Sequence, residues 1–258
     1  MLESRGGRAS ADRVWNYWLG GKDHYHADRD LAAALDAVEP ALARAAREQR
    51  AFLGRALDRL AGPDGMRQFL DVSVGLPAPG ATHTIVQRRA PGARVVYAGS
   101  DPVVLSHARA LLTAGPGPVA VACGDVADPA GLLAEAGRLL DLDRPVALVL
   151  GSVLEHVPDD ERARTVVEEL VRALAPGSHV VLAHLAADAR GTADRIARRW
   201  NDAARPGLVP RCVRRVRHLF NGLDVLDPGI VPCAEWRAPR TRRSAAVVTR
   251  LCGVGRVI

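Results

Sequence analysis

Short apolar runs alternate with helix-length segments through the middle of the chain. The apolar runs predict strands at Gln68–Ser73, Arg94–Gly99, Val119–Cys123, Pro145–Gly151 and His179–His184. The segments between them predict helices at about residues 80–90, 102–113, 129–140 and 159–174. Strands that are apolar almost throughout and alternate with helices are typical of a parallel sheet covered on both faces. The pattern therefore predicts a doubly wound α/β fold.

The N-terminal quarter of the chain does not follow this alternation. Apolar residues recur at helical spacing over Ala11–Leu19, and Gly20-Gly21 ends that predicted helix. One or two further helices are predicted over Asp28–Leu60. We therefore divide the chain into an N-terminal helical lid, residues 1–65, and an α/β domain, residues 66–258.

The C-terminal part of the chain also departs from the alternation. Helices are predicted over Ala193–Ala204 and Pro210–Phe220, followed by strand-like runs over Gly222–Leu226 and Ala245–Gly253. A sheet that closes with such a pair of strands fits the methyltransferase variant of the doubly wound fold better than a dehydrogenase.

Charge is distributed unevenly along the 258 residues. Residues 190–258 contain 15 arginines and 5 acidic residues, a local charge of +10 within an overall +6. This basic third is either a surface that attracts anionic partners or an ordinary solvated surface. Lysine occurs once, at Lys22, and so consistent a use of arginine is typical of a GC-rich genome. Abundant arginine is thus weak support for a nucleic-acid partner.

The cysteines and the apolar segments bear on the compartment. The four cysteines form no CxxC pair, and Cys123 and Cys252 lie in strand-like runs where burial is expected. No apolar run approaches the roughly 20 residues that a membrane helix needs, and the N-terminus has no apolar signal core. We expect a cytoplasmic protein without a membrane segment.

Polar turns follow the first two predicted strands and indicate a ligand site. Asp71 lies on the first strand and is followed by Ser73-Val74-Gly75, whereas the second strand ends at Gly99. Ligands bind at the carboxyl ends of the strands in such folds. Because no GxGxxG follows the first strand, the turn favours S-adenosylmethionine (SAM) over a dinucleotide. We expect a crevice above Ser73, Gly99 and Asp125.

Several longer sequence blocks make a family resemblance specific. They are Arg13–Tyr25, Ala27–Arg29, Gln68–Asp71 with Gly75–Pro77, Asp101–Ala110, Val157–Asp159 and Glu235–Arg237. With these blocks the chain resembles an actinobacterial family of SAM-dependent methyltransferases, the DUF574-type S-adenosyl methyltransferases, over roughly residues 10–256. The resemblance implies a class I methyltransferase (Rossmann-like) fold, a mainly parallel sheet with an N-terminal helical lid, and SAM as cofactor.

The resemblance also implies where SAM binds. It places the amino-acid part of SAM beside Asp71 and the turn at 73–75, where the family usually has Gly-Thr-Gly. If the turn requires a positive φ at Ser73, the serine side chain destabilises that conformation by about 1 kcal/mol. Gly99 stands where the family has the acid that holds the ribose, and Asp101 either substitutes for that acid or, as we favour, caps the next helix. Asp125 matches the acid beside the adenine amino group, with helix capping as the alternative. The implied cofactor-binding residues are Asp71, Ser73, Gly75, Gly99, Ser100, Asp101, Asp125, Val126 and Ser152.

The segment after the fourth strand carries the candidates for proton transfer. It reads Gly151-Ser152-Val153-Leu154-Glu155-His156, in the region where methyltransferases place residues that face the methyl group. Glu155 and His156 are the candidate general bases, since either accepts a proton from an incoming hydroxyl or amine. The alternative is that both only begin the next helix.

The N-terminal block supplies the candidate lid residues Tyr17, Lys22, Asp23 and His24. We expect residues 11–30 to fold over the crevice and bring Tyr17 and Lys22 near the ligand. The alternative is a helix–turn–helix connection docked on the sheet. A metal site at His24 and His26 is not favoured, because no further ligands have suitable spacing.

The sequence therefore predicts a SAM-dependent methyltransferase that acts on a small molecule, with a secondary metabolite as one candidate. Methyl transfer from a sulfonium needs alignment and exclusion of water rather than a metal. The main alternative, from Ser73-Val74-Gly75 and Gly99, is a SAM-fold protein that has lost methyl transfer and binds, regulates or performs other chemistry. A nucleic-acid methyltransferase and a nicotinamide-dependent oxidoreductase are less favoured. No feature of the sequence indicates an oligomeric state.

Overall fold

The computed structural model describes residues 8–239 and 250–258. The strands in chain order are β1 (Ala9–Ser10), β2 (Gln68–Asp71), β3 (Arg94–Gly99), β4 (Val119–Cys123), β5 (Ala147–Gly151), β6 (His179–Leu185), β7 (Ala204–Arg205), β8 (Leu223–Val225), β9 (Val231–Pro232) and β10 (Arg250–Val257). The helices are α1 (Ala11–Trp18), α2 (His26–Asp36), α3 (Leu42–Ala61), α4 (Thr82–Arg89), α5 (Pro102–Leu111), α6 (Pro129–Ala136), α7 (Asp160–Arg172), α8 (Thr192–Ala203) and α9 (Val213–His218), and a 3₁₀ turn covers Leu154–His156. None of these helices is both long and apolar enough to cross a membrane.

The main sheet has the strand order β4-β3-β2-β5-β6-β10-β8, and β9 pairs with β10. Strands β2 to β6 are parallel, whereas β10 runs antiparallel to both β6 and β8. The predicted class I methyltransferase fold, with its mainly parallel sheet and a closing pair of strands, is confirmed. The chain leaves β2 for β3 and β4 on one side and returns to β5 and β6 on the other. This change of direction opens a crevice at the carboxyl ends of β2 and β5.

Two apolar layers cover the sheet, because successive strand residues point to opposite faces. Phe69 packs in the layer that contains Phe52 of α3 and Trp236, whereas Leu70 packs in the layer that contains Leu132 of α6. All five side chains are buried, and each contributes about 1.5–3 kcal/mol of burial free energy. The layers fix the strand ends, and hence the loops that follow them, in one place.

The N-terminal segment packs on the edge of this core. Val14 and Trp18 of α1 join Leu31 of α2, Leu185 of β6 and Trp200 of α8 in a third apolar cluster. The first described residues also form a short parallel pair with the segment after α8, since β1 pairs with β7. Helix α1 is therefore held against the sheet from two sides.

Of the local sequence predictions, the structure contradicts the burial of Cys123. The region Asp28–Leu60 forms two helices separated by Pro40, because proline lacks the N–H that a helix interior requires. Cys252 is buried as predicted, but Cys123 is exposed, since β4 is the edge strand of the sheet. Residues 245–249 of the last predicted strand lie outside the described residues, and the strand is observed over Arg250–Val257.

Candidate active site

Strand β2 ends in a buried carboxylate that shapes the loop after it. Oδ1 of Asp71 accepts hydrogen bonds from the backbone N–H of Ser73 at 3.0 Å and from its hydroxyl at 2.7 Å, and Oδ2 accepts from Thr82 Oγ1 at 2.6 Å. Ser73 does not have a positive φ, so the condition under which we expected strain at this position is not met. Its hydroxyl instead satisfies Asp71, which explains why serine fits in this turn.

The end of β3 lacks both an acid and the space for one. A Cβ built on Gly99 would lie 2.9 Å from Cγ1 of Val74, inside the normal contact distance. Two residues on, Oδ1 of Asp101 accepts from the backbone N–H groups of Val103 (2.7 Å) and Val104 (3.2 Å). Asp101 is thus the N-cap of α5, the alternative that the sequence favoured, and its Oδ2 accepts no hydrogen bond within the described part of the chain.

The loop after β4 presents Asp125 and Val126. Oδ1 of Asp125 accepts from the backbone N–H of Ala127 at 2.9 Å, which leaves Oδ2 without a hydrogen-bond partner among the described residues. The cap of α6 is Asp128, which accepts from the N–H of Gly131, so Asp125 does not cap that helix. Val126 is buried and offers an apolar surface beside the carboxylate.

After β5 the chain forms a strained turn that is held by hydrogen bonds from two other elements. Ser152 is buried with φ of 69°, a left-handed conformation that costs a non-glycine residue about 1–3 kcal/mol. Its hydroxyl donates to Oε1 of Gln49 at 2.8 Å and accepts from Nη1 of Arg250 at 2.6 Å. Two elements distant in sequence, α3 and β10, therefore hold this turn in place.

Glu155 lies behind the cavity rather than on its wall, so its predicted role as a general base is corrected. Its carboxylate accepts from Nη1 of Arg250 at 3.0 Å and from the backbone N–H of Leu185 at 2.9 Å. Burial alone would raise the pKa of Glu155, but the Arg250 guanidinium holds that pKa below its usual range. A fully buried, ion-paired carboxylate has no route to a substrate proton.

His156, in contrast, lies on the cavity wall with one ring nitrogen available. Its Nδ1 lies 2.7 Å from the carbonyl oxygen of Gly207, and its ring stacks on Trp200 with centroids 6.3 Å apart. A carbonyl oxygen only accepts, so Nδ1 carries the proton and Nε2 is left with a lone pair. The structure thus gives His156 the tautomer that a general base requires.

Helix α1 covers the cavity, but not with the residues that the sequence singled out. Its inner face presents Asp12, Trp15 and Asn16, and Leu19, the residue that caps its C-terminus, also lines the cavity. The predicted lid residues do not reach the wall: Tyr17 is 36% exposed on the opposite face, and Lys22, Asp23 and His24 follow in the turn after the helix. Residue type suggested a site, but α1 turns Tyr17 outward and the other three residues lie beyond the end of that helix.

The site is a cavity of about 460 Å³ between α1 and the strand ends. Its wall contains all nine predicted cofactor-binding residues, Asp71, Ser73, Gly75, Gly99, Ser100, Asp101, Asp125, Val126 and Ser152. The sequence did not indicate several other wall residues, namely Asp12, Trp15, Asn16, Gln49, Arg50, Tyr97, Arg162 and Arg205. Among the described residues, no three His, Cys, Asp or Glu side chains form a group that could hold a metal ion.

Two charged side chains stand out on this wall. Nε of Arg50 is buried and has no hydrogen-bond partner in the described structure. Burial, together with the nearby charge of Asp101, raises the pKa of Asp12 to about 7. A cationic side chain and a carboxyl group whose pKa is close to neutral pH therefore line the same cavity.

Comparison with known proteins places this geometry in a family. The sequence profile of the S-adenosyl methyltransferase family matches residues 4–258. A DUF574 family protein from Streptomyces avermitilis is 32% identical, with 97% of this chain and 98% of that chain covered and a TM-score of 0.91. A protein described as a candidate methyltransferase from Thermobifida fusca is 34% identical, with 97% and 95% covered and a TM-score of 0.90.

A more distant structure shares only the fold. The N-methyltransferase NodS from Bradyrhizobium japonicum, solved with S-adenosylhomocysteine, is 17% identical, with 95% of this chain and 98% of that chain covered and a TM-score of 0.52. No curated protein matches the sequence significantly. The family profile and the two close structures nevertheless span nearly the whole chain. The chain belongs to the DUF574-type S-adenosyl methyltransferases and is a SAM-dependent methyltransferase.

Proposed function

We propose that this methyltransferase acts on a small-molecule acceptor, which enters the cavity between α1 and the strand ends. The observation that carries the proposal is the cavity itself. Its volume of about 460 Å³ lies in the range of small-molecule sites, and Trp15 of α1 and Leu19 just after that helix form its upper wall. A secondary metabolite is one candidate acceptor, and a cytoplasmic location stays a prediction from the sequence.

The wall offers groups that match the parts of SAM. Arg50 lines the cavity, and a guanidinium is the natural partner of the methionine carboxylate. The free oxygen of Asp125 suits the amino group of adenine, and Val126 suits its ring face. The space beside Gly75 is narrow, because a Cβ at this position would lie 3.2 Å from Oδ1 of Asp12.

Bound SAM supplies a methyl group on a sulfonium, and the protein has to align the acceptor and remove a proton from it. We assign proton removal to Nε2 of His156, whose ring is fixed by Gly207 and Trp200. Asn16 also faces the cavity, and its Nδ2 is buried without a partner in the described structure. That amide lies against Gly21, and its Oδ1 accepts from the backbone N–H of Asp23 at 3.0 Å, so we assign it to the turn after α1 rather than to the acceptor.

The test begins with calorimetry of S-adenosylhomocysteine binding to the full-length protein. Methyl transfer is then followed with labelled SAM across a panel of phenols, amines and carboxylic acids. We expect binding and turnover of at least one class. Binding without turnover on any class would support the alternative of a SAM-fold protein that has lost methyl transfer, and turnover on nucleic acid alone would overturn the small-molecule acceptor.

With an acceptor in hand, two variants test the role of His156. His156→Asn keeps a donor toward Gly207 but has no lone pair at the position of Nε2, and His156→Ala removes both. We expect either variant to lower kcat by about 10²–10⁴-fold while affinity for S-adenosylhomocysteine is retained. Full activity in His156→Asn would show that His156 only positions the loop.

A further inference from the structure

The cavity lacks an acid at the strand end where nucleotide-binding folds hold a ribose. In doubly wound folds an acidic side chain after the second strand hydrogen-bonds the ribose hydroxyls. Here β3 ends at Gly99, and a methyl group of Val74 occupies the volume above it, 2.9 Å from where a Cβ would lie. Asp101 follows, but its Oδ1 is committed to the N-terminus of α5. Only Oδ2 of Asp101 is left for a ribose, whose two hydroxyls therefore call for a further acceptor.

Asp12 reaches the same region from the opposite side. It is carried by the first turn of α1 and lines the cavity. Its Oδ1 lies 3.2 Å from the position of a Cβ on Gly75, and its charge interacts with that of Asp101. Asp12 thus stands between the loop after β2 and the start of α5, which is the position of a ribose lying across these strand ends.

Within the described residues, the carboxylate of Asp12 accepts a hydrogen bond only from its own backbone N–H. No side chain in the described residues donates a hydrogen bond to it, and the neighbouring Arg13 directs its Nε to Asp28 at 2.7 Å. Burial raises the pKa of Asp12 to about 7, and the charge of Asp101 adds to the effect. Two hydroxyl donors would stabilise the ionised form further, since only its own backbone N–H and the charge of Arg13 favour it in the free protein.

We propose that Asp12 binds the 2′- and 3′-hydroxyls of the ribose of SAM, in place of an acid at the end of β3. The assignment rests on SAM occupying the cavity as proposed above. It makes α1 part of the cofactor site, so the helix that closes the cavity also contacts the bound nucleoside.

The test is calorimetry of the full-length protein with two probes. One is S-adenosylhomocysteine and the other is 5′-methylthioadenosine, which keeps the ribose but lacks the amino-acid end. We expect Asp12→Asn and Asp12→Ala to lower the affinity for both probes by a similar factor, about tenfold or more. Asp30→Asn is the matched control, because Asp30 is an exposed acid on the adjacent α2. Thermal unfolding of each variant shows that it is folded.

The pH dependence gives a second readout. Several charged groups face or line the same cavity, namely Arg13, Arg50, Asp71, Asp101, Asp125, His156, Arg162 and Arg205. Because binding requires ionised Asp12, wild-type affinity for 5′-methylthioadenosine rises between about pH 6 and 8, through the pKa of about 7. Asp12→Asn lacks that rise.

Three results would count against these assignments. Unchanged affinity in Asp12→Asn and Asp12→Ala overturns the role of Asp12. A loss confined to S-adenosylhomocysteine overturns the ribose contact and places Asp12 at the amino-acid end. If wild type binds neither probe, the assignment of SAM to the cavity fails instead.

Discussion

At the residue scale, Val74 and Gly99 share one volume at the edge of the cavity. A Cβ on residue 99 would approach Cγ1 of Val74 to 2.9 Å, and 3.9 Å separates it from the carbonyl oxygen of the same residue. The valine methyl is the near contact, so the two positions depend on each other. With a valine at position 74, a glycine fits at position 99, because any larger side chain there would collide with the valine methyl group.

We therefore expect Gly99→Asp alone to destabilise the protein by about 1–3 kcal/mol through overpacking. Val74→Ala removes the conflicting methyl group, so the double variant should recover much of the loss. Urea unfolding of wild type, both single variants and the double variant measures the coupling, expected at about 0.5–3 kcal/mol. Strictly additive effects would contradict the shared volume.

The residues on the cavity wall show which parts of the site can be predicted from the sequence and which cannot. Asp71, Asp125 and Ser152 follow strand ends, and the carboxyl ends of parallel strands meet at one edge, so sequence order was enough to group them. Asp12 and Arg50 lie on helices, where only tertiary packing decides which face meets the cavity. No spacing in the sequence shows that α1 turns Asp12 inward and Tyr17 outward.

At the scale of elements, β10 and α1 are joined beneath the cavity by one arginine. Arg250 pairs with Glu155 at 3.0 Å, and its guanidinium carbon lies 4.6 Å from the ring centroid of Trp15. The arginine also donates to Ser152 and Gln49. The last strand thereby fixes the turn after β5, the helix α3 and the helix above the cavity.

We expect Arg250→Met to lower the free energy of unfolding by about 3–5 kcal/mol at neutral pH, because it leaves Glu155 buried without its partner. Arg250 lowers the pKa of Glu155, so the stabilisation by the pair is present above the unfolded pKa of about 4.3 and is lost as pH falls through the folded pKa. The difference between variant and wild type should thus shrink in acid.

Urea unfolding at pH 7 and in acid measures both effects. Arg250→Met with Glu155→Leu is the control, since it removes both charges and should recover part of the stability. An equal loss at both pH values would show that Arg250 acts through packing rather than through the charge of Glu155.

At the scale of the whole molecule, the N-terminal segment packs as part of the core. Trp18 is 5% exposed and lies 6.4 Å, between ring centroids, from Trp200 of α8, in a cluster that includes Leu185 of β6. From the sequence we predicted that residues 1–65 form a lid, because strands and helices do not alternate in this segment. The contacts of α1 instead lead us to propose that it unfolds together with the sheet.

This proposal predicts the outcome of truncating one tryptophan. Trp18→Ala removes a large buried side chain and should lower the free energy of unfolding by about 3–5 kcal/mol, still in one cooperative transition. Tyr17→Ala is the matched control on the same helix, since Tyr17 is 36% exposed and its loss should cost no more than about 0.5 kcal/mol. Urea unfolding followed by circular dichroism and by tryptophan fluorescence measures both variants. If Trp18→Ala weakened S-adenosylhomocysteine binding but left the unfolding midpoint unchanged, the segment would be a detachable lid, because the sheet would then hold its stability without it.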